Sequence, residues 1–250
     1  MEWILGRNPV YEVLRAGRRR VIRLRLAEGV DRKRNLGRAL RLAEKRAIPL
    51  EVVSRRELDR LGENHQGVAL QVGPYPYADL LAMLERAAEQ GEPPFLLLLD
   101  SVQDPHNLGA LLRTAEAVGV HGVLLPLRHT ATVTPAVVST SSGASEHLLI
   151  GQANLAQAIT TLKRENVWVY GLDIGQEAEP IETVDLKGAL ALVVGNEAGG
   201  LRALVRKACD GLIRLPMRGR VDSLNAAVAG SVALYFAWSA RGFSGCMQKM

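Results

Sequence analysis

Three short segments in the second half of the chain gather amides, hydroxyls, carboxylates and a guanidinium among glycine and proline. Asp104-Pro105-His106-Asn107-Leu108-Gly109-Ala110-Leu111-Leu112-Arg113 follows the apolar run from Phe95 to Leu99. Gly195-Asn196-Glu197-Ala198-Gly199-Gly200-Leu201 follows the run from Leu190 to Val194, and Asp222-Ser223-Leu224-Asn225 lies a few residues beyond the run from Leu212 to Leu215. Each time a buried-strand pattern gives way to a polar loop and then to a helix. In an open parallel sheet such loops converge at the carboxyl ends of the strands, where ligands bind. The three segments together therefore make a site of hydrogen-bonding groups.

The spacing excludes several familiar chemistries. Residues 195–200 read G-x-x-x-G-G, which matches neither the dinucleotide fingerprint G-x-G-x-x-G nor a phosphate loop with its Lys-Ser/Thr pair. A glycine turn after a strand does let bare backbone approach a ligand closely. No nucleophile elbow surrounds Ser223. The five histidines, at 65, 106, 121, 129 and 147, show no ligand spacing, so no metal is expected. Taken singly, each polar residue has a plain structural reading. Ser223 reads as the N-cap of a helix over 225–240, Asn107 as the cap of a helix over 108–118, and Glu197 as an N-terminal charge on the helix that follows it.

The elements that must position these residues form a repeating pattern. From Phe95 onward, strands are expected at 95–99, 122–126, 167–172, 189–194 and 211–215, and helices at 108–118, 135–142, 154–165, 201–208 and 225–240. That alternation means an α/β domain with a mostly parallel sheet and helices on both faces. The first 75 residues read as a separate α/β unit. Its expected helices are 8–16, capped by Asn8 and stopped by Gly17, then 31–47 and 55–61, and its expected strands are 21–26, 50–53 and 68–72. Prolines and glycines bracket residues 76–93, read as a linker with a short helical stretch at 78–89. The domain boundaries are therefore 1–75, 76–93 and 94–250.

A chain of 250 residues, 48% hydrophobic, can bury a sizeable core. The charge-free residues 225–240 near the C-terminus number 16, short of the roughly 20 a membrane span needs. No membrane association and a cytoplasmic location are expected. Cys209 and Cys246, the only cysteines, have no metal or redox spacing and read as free thiols. The net charge of +5 hides an asymmetry. Residues 1–75 hold 17 Lys and Arg against 9 Asp and Glu, while residues 76–250 hold 14 against 17. A basic unit joined to a mildly acidic one suggests that the first recruits a polyanion. Aromatics at 4% argue against a stacking platform for single strands, so folded RNA read by shape and phosphate is the better partner.

In order and in residue type the three segments, the last taken with Leu215-Pro216-Met217, resemble the three motifs of the SpoU (TrmH) family of RNA ribose 2′-O-methyltransferases. Ser142-Gly143-Ala144 is similar to the family as well, and the resemblance covers roughly residues 94–242. The first 75 residues resemble the family's substrate-binding domain, an L30e-like fold, at Gly6-Arg7-Asn8-Pro9-Val10 and His65-Gln66-Gly67-Val68. The resemblance implies a SPOUT-type parallel sheet with a C-terminal trefoil knot. It implies S-adenosylmethionine as cofactor, gripped by backbone around Leu172, Gly195, Leu215 and Leu224. It sets Asn107, Arg113, Glu197, Ser223 and Asn225 around the methyl group and the target ribose, in a homodimer. The domain arrangement is most similar to that of bacterial enzymes methylating a guanosine of 23S rRNA, with tRNA or another rRNA site as alternatives. The family's arginine is proposed as the base. A guanidinium with a pKa above about 12 is better suited to clamping phosphate and stabilising an oxyanion. A non-catalytic RNA-binding or assembly protein on the same fold is the reading from another class.

Overall fold

The computed structural model describes residues 1–196 and 199–245, which fall into two compact units. The first comprises Met1–Pro76 together with Val133–His147, and the second Tyr77–Thr132 together with Leu148–Met250.

The first unit is built on a four-stranded sheet of β1 (Glu2–Leu5), β2 (Val21–Ala27), β3 (Leu50–Val53) and β4 (Val68–Val72), in the order β1-β4-β2-β3. β4 runs antiparallel to both neighbours and β3 parallel to β2. The helices α1 (Arg7–Ala16), α2 (Asn35–Lys45) and α3 (Arg55–Asp59) cover it. α1 stops at Gly17, whose φ of 69° is the left-handed C-cap that glycine adopts without strain. Its N-cap is Gly6, not Asn8. Asn8 lies inside the first turn, where its side-chain oxygen accepts from Asn35 Nδ2 at 2.9 Å. α2 begins four residues later than the pattern suggested, because Arg34 sits at φ 55° and breaks the helical run. β1 escaped sequence reading. Four residues at the chain start are too few to show a period, and only pairing with β4 defines them.

Val133–His147, which contains α6 (Pro135–Thr140), packs with this unit and not with the unit on either side of it in sequence. The excursion is fastened by a buried ion pair. Arg19 donates through Nε and Nη2 to the Glu146 carboxylate at 2.9–3.2 Å and through Nη1 to Glu2 at 3.0 Å. The Tyr75 hydroxyl donates to the Ser145 carbonyl at 2.9 Å, and burial pushes its pKa up to about 12. Contacts thus group a piece of the stretch read as 94–250 with the first unit. The tie between residues 19 and 146 is invisible to any local pattern.

In the second unit the five expected apolar runs become strands β5 (Phe95–Leu99), β6 (Gly122–Pro126), β8 (Trp168–Leu172), β10 (Leu190–Val194) and β11 (Gly211–Arg214), and two strands that were not expected join them, β7 (Leu149–Ala153) and the two-residue β9 (Glu179–Pro180). The sheet order is β7-β6-β5-β10-β8-β11-β9, and every pairing is parallel. β5, β6 and β10 are buried at every position, the mark of parallel strands covered on both faces. One face carries α4 (Leu80–Glu89), α7 (Leu155–Arg164) and α8 (Ala203–Ala208), whose Met83, Ile159 and Val205 pack on Leu96, Leu98 and Val193. The other carries α5 (Pro105–Ala117) and α9 (Ala226–Ala240). α4 lies in the stretch read as linker, yet Met83 is fully buried. A Cβ at Gly122 or Gly151 would run into its side chain. The stretch is part of the core.

Candidate active site

β5, β10, β8 and β11 are consecutive neighbours in the sheet and parallel, so their carboxyl ends share one edge. Gly195 leaves β10 there, Leu172 ends β8, and Leu215 follows β11. Three of the four residues expected to hold the cofactor are therefore delivered to one rim by topology alone. Gly195 is fixed by contact. A Cβ there would meet the Gly200 carbonyl and, at 2.7 Å, the Leu201 amide nitrogen. The loop closes on itself through Asn196 and Gly200, which exchange backbone hydrogen bonds of 2.8 and 3.0 Å.

The first and third segments meet. Asn225 Nδ2 donates to Asn107 Oδ1 at 3.2 Å across 118 residues of sequence. The other amide atom of Asn225 is engaged as well, its Oδ1 accepting from Ala227 N–H at 2.9 Å and Val228 N–H at 3.2 Å. Asn225 is thus the N-cap of α9, a role the sequence reading gave to Ser223. Likewise Asp104, not Asn107, caps α5, accepting from His106 N–H at 2.9 Å with Pro105 in the first helical position. Asn107 and Ser223 are therefore not the caps of these helices. Ser223 and Leu224 are exposed on the approach to α9. Arg113 stands on the exposed side of α5, about 9 Å along the axis from Asn107. Glu197 lies outside the described residues.

α9 and α5 hold the two asparagines together because their backbones come close. Gly230 has no room for a Cβ, which would lie 2.6 Å from Leu111 Cδ2 and 3.0 Å from Val194 Cγ2. Thr114 and Ser231 share a hydrogen bond of 2.9 Å across the same contact. The small residues of α9 (Ala226, Ala227, Gly230, Ala233 and Ala237) are spent on this internal packing.

Sequence reasoning missed the residues that brace the rim. Asp100, directly after β5, is fully buried and accepts from Arg202 twice, from its backbone N–H at 2.8 Å and its Nε at 2.6 Å. Ser101, at φ 65°, offers its carbonyl to Asn196 Nδ2 at 2.9 Å. Both ends of the 195–200 loop are thereby tied to the end of β5. One turn further on, Arg206 Nε donates to Asp173 at 3.0 Å, just past β8. Burial pushes the Asp173 carboxyl up, but the Gly175 and Ile174 amides and the Arg206 guanidinium outweigh it and hold it below its usual range. The start of α8 thus clasps the strands on either side of β10. The signal available was a single acid closing a run of five apolar residues, Phe95 to Asp100, a place where a lone buried charge needs a partner.

Comparison with known proteins gives two matching families, one for each end of the chain. The model of the SpoU rRNA Methylase family matches residues 94–235, and that of RNA 2′-O ribose methyltransferase substrate binding matches residues 3–78. The chain belongs to the SpoU rRNA methylase family. A protein of Bacillus subtilis named as a TrmH family tRNA/rRNA methyltransferase, YacO, is 40% identical over 236 residues, 94% of either chain. A Staphylococcus saprophyticus protein of the same description is 36% identical over 244 residues, 97% of either chain. The solved structure of the SpoU methyltransferase AviRb from Streptomyces viridochromogenes, in complex with AdoMet, matches in fold. Its TM-score is 0.80 at 24% identity, over 96% of this chain and 90% of that one.

As a SpoU enzyme the chain is an S-adenosylmethionine-dependent RNA methyltransferase. The rim fits that cofactor. Leu172 and Leu215 are half-buried apolar walls at neighbouring strand ends, and Gly195 offers backbone without a side chain. These uncharged groups suit a ligand whose sulfonium is itself a cation. Among the described residues no group of His, Cys, Asp and Glu is placed to hold a metal, and no helix is long and apolar enough to cross a membrane.

Proposed function

We propose that the enzyme transfers a methyl group to the ribose 2′-hydroxyl of a guanosine in 23S rRNA, in the cytoplasm, working as a homodimer. The observation that carries the site assignment is the hydrogen bond between Asn107 and Asn225, which joins two of the three segments beside the glycine rim. S-adenosylmethionine supplies an electrophilic methyl group on a sulfonium. Leu172, Gly195, Leu215 and Leu224 hold it by backbone contacts and apolar walls. Asn107, Ser223 and Asn225 orient the ribose hydroxyl, a poor nucleophile until its proton is loosened. Arg113 clamps the target phosphate and stabilises the oxyanion that develops as that proton passes to water, keeping its own charge throughout, and S-adenosylhomocysteine is the leaving group. By the family resemblance Glu197, which lies outside the described residues, would hold Arg113 or Asn107. Holding the hydroxyl and the methyl group in line contributes several kcal/mol, up to about 7–11 in the best intramolecular cases.

Three finer features belong to the same reading. The trefoil knot is supported by the strand order, in which β10 enters between β5 and β8, and by the return of α9 onto α5. The mixed four-stranded sheet with flanking helices in the first unit is consistent with an L30e-like fold. The dimer is supported by the outer side of α9. There Val228, Val232, Tyr235 and Phe236 are exposed at helical spacing, an apolar stripe of the kind that marks an interface.

The deciding experiment is methyl transfer from labelled S-adenosylmethionine to separate 23S rRNA and tRNA transcripts, with the product nucleoside identified by mass. The expected product is 2′-O-methylguanosine in 23S rRNA alone. Label in tRNA alone would overturn the choice of substrate. Arg113→Ala should bind the cofactor normally and transfer no methyl group, and comparable turnover would remove Arg113 from the chemistry.

A further inference from the structure

α2 is amphipathic in an unusual way. Leu36, Ala39 and Ala43 are buried on one side. On the opposite side Arg34, Arg38, Arg41 and Lys45 stand at i, i+4, i+7 and i+11, all exposed. At about 100° and 1.5 Å per residue Arg38, Arg41 and Lys45 fall within roughly 60° of arc and span roughly 10 Å, and Arg34 precedes them as the non-helical N-cap. Among the described residues none of the four has a carboxylate within ion-pair distance. Glu44 lies on the same helix, three residues after Arg41, but points about 90° away from the middle of the line. Like charges three and four apart repel and weaken a helix, so the stripe is a burden unless something anionic lies along it.

The other basic run of the unit is spent differently. Arg18 donates to the Tyr75 hydroxyl and the Pro76 carbonyl, Arg19 is buried against Glu146, and Arg23 and Arg25 share Glu51 at 2.7 and 2.8 Å. The two runs look alike in sequence, yet three arginines of the first (Arg19, Arg23 and Arg25) are paired with carboxylates and the four cations of the second face solvent.

We propose that the α2 stripe is the track on which the RNA backbone docks, its cations meeting successive phosphates. The proposal rests on the reading that the first unit recruits the RNA substrate. Three of the four cations are arginines, whose forked donors suit phosphate oxygens. An anionic lipid surface is the poorer match. A helix lying in a membrane interface inserts its apolar face, and that of α2 is already consumed by the core.

The test is made on the full chain with Arg34→Gln, Arg38→Gln, Arg41→Gln and Lys45→Gln combined. Affinity for unmodified 23S rRNA and tRNA transcripts is measured against salt concentration. Each phosphate contact contributes about 0.7–0.9 to the slope of log affinity on log salt, so the variant's slope should be shallower by about 3. The affinity gap should close as salt rises. KM for RNA should rise while kcat at saturating RNA is held. The melting temperature should stay or increase, since three like-charge neighbours have been relieved. An unchanged slope on the RNA that the wild type binds would overturn the proposal, as would a wild type that binds neither transcript. Loss of binding to phosphatidylserine vesicles with the RNA slope intact would overturn it in favour of a membrane. Which transcript becomes methylated tests the substrate, and the slope tests the stripe, so the two readings fail separately.

Discussion

Asp100→Asn separates bracing of the rim from general stability. The carboxylate is fully buried and makes two charge-assisted hydrogen bonds to Arg202, at 2.6 and 2.8 Å. Asparagine keeps a carbonyl for the Arg202 backbone N–H but presents either no second acceptor or an amide donor to the guanidinium. Such a bond to a charged group contributes about 1.5–3 kcal/mol net. The Arg202 side chain is 48% exposed, so its charge can return to water. The loss therefore stays near one bond, about 2–3 kcal/mol, below the roughly 3–5 kcal/mol for orphaning a fully buried charge. In a chain of this size that lowers the melting temperature by about 6 °C. Arg202→Ala should be the worse variant, although it removes the more exposed partner, because it strands the buried carboxylate. The double variant should be less destabilised than the sum of the singles by at least about 1.5 kcal/mol. Calorimetric titration of S-adenosylmethionine supplies the second reading. If Asp100 shapes the 195–200 loop, affinity falls at least about tenfold in Asp100→Asn at a temperature where the variant is fully folded. Additivity within about 0.5 kcal/mol would refute the coupling. A full stability loss with cofactor affinity within twofold of wild type would refute the link to the loop.

Gly195→Ala should be destabilised by about 1–3 kcal/mol and lose cofactor binding, because its Cβ meets backbone at Gly200 and Leu201 that cannot rotate away. Calorimetry that finds ordinary affinity would show that the turn can open. Asn225→Ala removes the α9 cap and its bond to Asn107, so denaturant melts should show a loss of about 1–2 kcal/mol, with methyl transfer falling further than cofactor binding. Equal losses in both would make Asn225 a cap only. Burial pushes the Cys209 thiol up to about 11, so its alkylation by iodoacetamide at pH 8, followed by peptide mass spectrometry, should be far slower than in the denatured chain. Because the neutral thiol is the form favoured by folding, its contribution to stability holds below about pH 9 and is lost as pH rises through about 11. Equal labelling rates folded and unfolded would contradict that burial.

What could be read from sequence was what is local. Strands such as Phe95–Leu99 and Leu190–Val194 announce themselves because a strand covered on both faces must be apolar at every position. Gly17 could be read as a stop because only a left-handed residue ends the helix there. The three polar segments were visible by composition, and the charge of the first 75 residues by counting. Helix starts were less secure. Asn107 and Ser223 are good cap residues by type, but a cap is decided by which side chain reaches the free amides, and Asp104 and Asn225 do so. Sequence could not show that β10 enters between β5 and β8, that Asn107 meets Asn225, that Asp100 needs Arg202, or that Glu146 belongs with Arg19. Nor could it show which arginines are paired with carboxylates and which face solvent. Periodicity records which side of an element is dry. It carries no label for what lies against that side, and a buried charge or a close backbone contact is satisfied only by a particular partner that the folded chain brings from far away.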